Sequence, residues 1–211
     1  GSGLEQWLRD KALPSLLAQY ERMRQRHLPL AAYMSRPRHG EVVNALRVLA
    51  CPLPLADCQH GCTADAAADR PGRDLCHALA HLSDRGLFSR TLAVGERSAI
   101  FRSQWPISLN YYGAHRIHFF YMNVGPEMAR VEVPEWVASD AALADVVHST
   151  LVDQCLRGRG YPSSLMEAHE QAVLRGPDRQ QFAELVDTAL VRAGLQISTS
   201  EKERGKRLRA L

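Results

Sequence analysis

The sequence predicts an α/β domain, and three observations predict it. A short apolar run, Leu30-Ala-Ala-Tyr-Met34, is followed by the polar loop Ser35 to Gly40 and then by a helical pattern from Glu41 to Ala50. Strand, polar loop and helix in that order indicate α/β architecture. Two apolar segments, His115 to Met122 and Met128 to Val133, flank the turn-like Asn123-Val-Gly-Pro-Glu127 and read as a hairpin. Beyond Ser139 the pattern is helical only. A chain of 211 residues, 45% hydrophobic and 23% charged, has the make-up of an ordinary globular protein. It carries no apolar run approaching the roughly 20 residues that span a bilayer, and it does not open on a basic segment followed by an apolar one. Those two features predict a cytoplasmic protein with no membrane partner.

The elements follow in order. Leu4 to His27 is helical, with Leu16, Leu17, Tyr20 and Met23 on one side, and Pro14 divides it or starts its second part. Pro29 ends it. In the Glu41 to Ala50 helix, Val42, Leu46 and Leu49 are in register. Residues 51–82 lose any period and form an irregular insertion containing Cys51, Cys58, Cys62 and Cys76. Ser98 to Ser103 reads as a strand. In the hairpin, Ile117, Phe119 and Tyr121 alternate with His118, Phe120 and Met122. Both faces are largely apolar, so this strand belongs at the centre of a sheet covered on both sides.

Ser139 is the expected cap of a helix running to about Arg157, with Leu143, Val146, Val147, Leu151 and Cys155 inward. Another helix runs from about Asp178 to Ala193, with Phe182, Leu185, Val186, Ala189 and Leu190 inward. Cys155 is a core residue on this reading. Trp7, Trp105 and Trp136 read as packing or interface residues.

Three features point to chemistry. The first is Tyr161-Pro-Ser-Ser-Leu-Met-Glu-Ala-His169, where a Gly-rich turn hands over to a helix that Pro162 can begin. Leu165, His169, Ala172 and Val173 share one face, which is expected to be buried. A histidine there is either a satisfied core residue or one that meets a metal or a substrate. The second is the cysteine set, with the spacing C-x6-C-x3-C-x13-C. Four soft ligands fit structural zinc or an iron–sulfur cluster; the alternative is four reduced thiols in a loop. The third is charge. Lys202, Arg204, Lys206, Arg207 and Arg209 against Glu201 and Glu203 account for the whole net charge of +3 and place it in a basic tail, residues 198–211. Such a tail either contacts a polyanion or is merely solvated. Arg36 and Arg38, at the end of the first strand, are placed to clamp phosphates or to form surface ion pairs.

Several ordered blocks together resemble the NurA nuclease family. They are Ala32-Tyr-Met-Ser-Arg-Pro-Arg38, Glu41-Val-Val-Asn-Ala-Leu-Arg47, His118-Phe-Phe-Tyr-Met-Asn-Val-Gly125, the Tyr161 to His169 motif, and Ser198-Thr-Ser-Glu-Lys-Glu-Arg-Gly-Lys206. The resemblance runs from about residue 4 to the end. It implies an RNase H-like mixed sheet flanked by helices, in a single NurA-like domain over residues 1–211. It also implies a DNA nuclease dependent on manganese or magnesium, and a homodimer that works with a HerA-type hexameric DNA-translocating ATPase in end resection. Tyr161 and His169 fall on the family's active-site tyrosine and histidine, and Arg36, Arg38, Lys202, Lys206 and Arg207 become candidates for DNA contact.

The family takes its metal-binding carboxylates from the segment before the first helix, one of them in an Asp-Gly-Ser/Thr motif. This chain starts at Gly1-Ser2-Gly3. The resemblance therefore implies that His169 meets its catalytic metal alongside carboxylates from outside this chain, supplied by a preceding segment or by a separate N-terminal nuclease half. Glu5, Asp10 and Glu41 are then surface charges. The rival expectation is a non-catalytic DNA-binding or adapter subunit of a HerA–nuclease complex.

Overall fold

A computed structural model of the chain describes residues 6–50, 79, 81–173 and 176–192. The expected hairpin is its centre. Strand β3 (Ile117–Asn123) and strand β4 (Met128–Pro134) pair antiparallel from Ile117↔Pro134 to Asn123↔Met128. The turn between them closes because Gly125 adopts φ +92°, a conformation open to glycine, and its N–H donates to Asn123 Oδ1 at 2.9 Å.

β1 (Ala32–Met34) pairs with β4, and β2 (Phe101–Arg102) pairs with β3, so the order is β1-β4-β3-β2. The resemblance implied a mixed sheet; every pairing among the described strands is antiparallel. β2 is also much shorter than the expected Ser98 to Ser103. The Ser98 hydroxyl accepts the Tyr121 N–H, and the Ser98 N–H donates to the Tyr121 carbonyl, with an isolated bridge at Arg97↔Met122. A side chain thus replaces part of the strand ladder.

Both faces of the sheet are covered, as the apolar alternation predicts. On one face Phe119, Tyr121 and Met128 pack with Val42 of helix α2 (Glu41–Ala50) and Phe88 of helix α3 (Asp84–Phe88). On the other, Phe120, Met122, Val131 and Val133 pack with Val147 and Cys155. Burying each such side chain contributes roughly 1.5–3 kcal/mol.

The first helix is two elements. A π-helical turn, Leu8–Ala12, precedes helix α1 (Leu13–Gln25). Leu13 N–H bonds back to Leu8 O. Pro14 explains the slip: it donates no hydrogen bond and its ring crowds the preceding turn, so the helix takes up one extra residue there. Further along the chain come α4 (Pro106–Tyr111) and the short α5 (Glu135–Ala138). Helix α6 (Ala141–Arg157) is capped by Asp140, not Ser139. The Asp140 carboxylate accepts from Ala142 N and Leu143 N, while Ser139 closes α5. Of the residues expected inward on α6, Val147 and Cys155 are buried, Leu143 and Leu151 are partly buried, and Val146 is exposed.

The chain divides into two compact units, Gly1–Ser163 and Ser164–Leu211. The second holds nearly all of helix α7 (Ser163–Ala172) and the whole of helix α8 (Gly176–Arg192). No residue of α7 is buried, and Phe182 and Leu185 of α8 are well exposed. Leu165, His169, Ala172 and Val173 of α7, and Phe182, Leu185, Val186 and Ala189 of α8, were expected to face inward and are exposed. Helical periodicity places an apolar stripe on one side of a helix but does not supply the surface that covers it.

Candidate active site

The sheet face beneath α2 carries a connected polar network. Arg130 and Glu132 lie two residues apart on β4, so both project from this face. Arg130 is 1% exposed, and its guanidinium lies 3.6 Å from the centre of the Phe119 ring. Its Nε donates to Glu132 Oε1 at 2.9 Å and its Nη2 donates to Glu41 Oε1 at 2.8 Å. The other oxygen of Glu41 accepts from the Ser103 hydroxyl at 3.1 Å and from Gln104 N at 3.0 Å. Glu41 is thus no surface charge: it stands at the first turn of α2, facing a buried arginine.

Asp84 extends the network. It is fully buried. Its carboxylate accepts Val43 N at 2.8 Å, Val42 N at 3.2 Å and the Tyr121 hydroxyl at 2.9 Å. Two of these donors are the otherwise unpaired N–H groups at the start of α2, where a negative charge is favoured. Tyr121 is the cross-strand partner of Arg130. Burial pushes its phenol well above the usual tyrosine range; Asp84 adds to the rise and Arg130 opposes it. Glu41 and Glu132 therefore share one guanidinium, and Asp84 is linked to them through Tyr121.

A cleft of about 240 Å³ opens beside Arg130 and Glu132, lined by His39, Trp105, Ser108 and Tyr112 among others. His39 and Trp105 meet ring to ring at 5.9 Å. Trp105, expected as a packing or interface residue, is 51% exposed.

A second cluster sits at the hairpin end of the sheet. Glu127 accepts from the Tyr33 hydroxyl at 3.0 Å and from the Ser35 hydroxyl at 2.8 and 2.6 Å, and Arg36 Nε lies 3.8 Å away. Tyr161 meets Tyr33 edge-on at 5.4 Å. The turn before Tyr161 is fixed by Gly160 at φ +105°, where a Cβ would lie 2.6 Å from Pro126. Burial and the Glu127 charge push the Tyr33 phenol upward, so it stays a donor.

Of the residues singled out in the sequence, Tyr161 and Arg36 thus share one cluster, and Arg38 is exposed. His169 is exposed on α7 and belongs to the second unit. The expectation that its helix face is buried is not met. Cys51, Cys58, Cys62 and Cys76, the insertion that holds them, and Lys202, Lys206 and Arg207 lie outside the described residues. Cys155 is buried, as expected.

Sequence reasoning missed Glu41, Asp84, Arg130 and Glu132. One signal was available: two charges spaced i, i+2 on a strand that otherwise reads as core. Their partners lie 89 residues away for Arg130–Glu41 and 41 for Asp84–Val43, beyond any local pattern.

An antiparallel sheet covered by helices on both faces, with two carboxylates paired to one buried guanidinium on one of them and a third carboxylate joined through Tyr121, defines an α/β protein built round a buried polar network. The NurA domain matches residues 6–174, and the chain belongs to this family. Membership points to a nuclease-related function and supports an enzyme acting on DNA. No curated protein and no solved structure gives a match. No helix among the described residues is long and apolar enough to cross a membrane.

Proposed function

We propose that the protein is a metal-dependent DNA nuclease of end resection, an RNase H-like enzyme that works as a homodimer with a HerA-type hexameric DNA-translocating ATPase in the cytoplasm. The observation that carries this reading is the NurA match across most of the chain.

Manganese or magnesium would take hard oxygen donors, and Glu41, Asp84 and Glu132 are of that kind. Their arrangement does not fit an ion as it stands. Among the described residues no three Asp, Glu, His or Cys side chains converge on one point. Asp84 is already satisfied by three donors, and Glu41 by Arg130, Ser103 and Gln104.

The chain's own groups have definite tasks on this reading. The exposed imidazole of His169 accepts or returns the proton of the attacking water. The Tyr161 phenol donates to a non-bridging phosphate oxygen. Arg36 and Arg38, with Lys202, Lys206 and Arg207 of the tail, hold phosphates. Cys51, Cys58, Cys62 and Cys76 would hold a structural zinc ion or an iron–sulfur cluster in the insertion.

The engaged state of Glu41 and Asp84 favours one second reading, a DNA-binding or adapter subunit that keeps the fold without the chemistry. Cleavage assays separate the two. The protein is incubated with single- and double-stranded DNA and Mn²⁺ or Mg²⁺, with and without a HerA-type ATPase. Cleavage should fall by about 100-fold or more in His169→Ala, the range for losing a general acid–base group. Its melting temperature should stay unchanged, because the side chain is exposed. Binding of DNA with no cleavage in any combination would establish the adapter. Full cleavage by His169→Ala would remove that residue from the site.

A further inference from the structure

We propose that the cleft between His39, Trp105 and Tyr112 is a subsite for one unpaired nucleobase, next to the acidic network; the inference rests on the nuclease reading. Three observations carry it. The first is size. At about 240 Å³ the cleft is smaller than the roughly 300–1,000 Å³ of sites for drug-sized ligands and suits a single ring system.

The second is the lining. Three aromatic side chains stand round it, and Trp105 is half-exposed although it is the largest of them. Aromatic rings offer every base a stacking face, and a base locked in a duplex cannot use them.

The third is unspent hydrogen bonding. His39 Nδ1 is buried without a partner. Ser108 Oγ accepts from Ile117 N at 2.9 Å, which leaves its hydroxyl hydrogen to donate. Among the described residues Glu132 Oε2 has no hydrogen-bond partner, since Arg130 engages Oε1. A base edge carries the donors and acceptors that complete such a set.

The subsite is also tied to the acidic network through covalent neighbours. Trp105 N donates to Ser103 Oγ at 3.4 Å, Ser103 donates to Glu41, and Gln104 N donates to the same Glu41 oxygen. A base on Trp105 would therefore hold its strand in register with Glu41.

The test compares a fluorescein-labelled 12-nucleotide single strand with the corresponding duplex, by anisotropy, in EDTA and at one fixed salt concentration. Trp105→Ala should weaken single-strand binding about tenfold, within the 1–3 kcal/mol that one stacked base contributes. Duplex binding should change less than twofold. Leu109→Ala, exposed on the same helix but outside the cleft, should match the wild type on both. An unchanged melting temperature in Trp105→Ala guards against a folding defect, and Trp105→Phe should recover most of the single-strand affinity. Equal losses on both substrates, or no loss on either, overturn the subsite while a cleaving wild type leaves the nuclease reading intact. A wild type that neither binds nor cleaves DNA overturns both.

Discussion

Replacing Arg130 by methionine tests the acidic network most directly. The change keeps an unbranched side chain of comparable reach and removes the charge. Arg130 is 1% exposed, bonded to Glu41 and Glu132, and seated on the Phe119 ring. Removing one member of a buried ion pair costs about 3–5 kcal/mol, because the other member stays buried and unpaired. The Glu41 side chain is 15% exposed and the Glu132 side chain 28%, so water recovers part of that loss and the lower end applies. About 3 kcal/mol lowers the melting temperature by roughly 6–12 °C in a protein of this size.

A double-mutant cycle isolates the cause. Glu41→Gln added to Arg130→Met should return about half of the lost stability, because no uncompensated carboxylate then faces the hole. The assay is urea unfolding at pH 7 for the wild type, the two single variants and the double. A loss below 1 kcal/mol in Arg130→Met, or strict additivity in the cycle, would refute the argument that this guanidinium holds the carboxyl groups together.

Two further outcomes follow from the packing. Gly160→Ala should destabilise by about 1–3 kcal/mol in chemical denaturation, since the added Cβ meets Pro126 at 2.6 Å and the backbone lies at φ +105°; no loss would mean that the turn before Tyr161 yields. The phenols of Tyr33 and Tyr121 are both raised above 10.0 by burial. A raised folded value means that their contribution to stability is complete below pH 10 and is lost as pH climbs above it. Burial raises Tyr20 in the same direction, so tyrosinate absorbance at 295 nm should show at least two of the six phenols ionising later than the rest, and six phenols titrating together would contradict their burial.

Much of the fold was legible in the sequence. Turn chemistry and period-2 alternation marked the hairpin within a residue or two, because glycine at Gly125 and an Asn side chain at its neck act locally. Helices α2 and α6 declared themselves for the same reason: a stripe of apolar residues is a short-range feature, although the cap of α6 falls on Asp140 and not on Ser139. The strand before the hairpin was overestimated because Ser98 bonds across to Tyr121 and spoils the ladder, a choice made by a residue 23 positions away.

What the sequence determined by itself, then, was the hairpin, the longer helices, the two-sided burial of the central strand and the family to which the chain belongs, but not the short helices α3, α4 and α5. Which charges meet was decided only by tertiary structure. Glu41 looked like a surface acid, and Asp84 drew no reading at all, until the sheet brought Arg130 and Tyr121 beneath them. Local patterns come from periodicity and caps over a few residues. An ion pair depends on which distant backbones are held within 3 Å of each other, and chain folding alone fixes that distance.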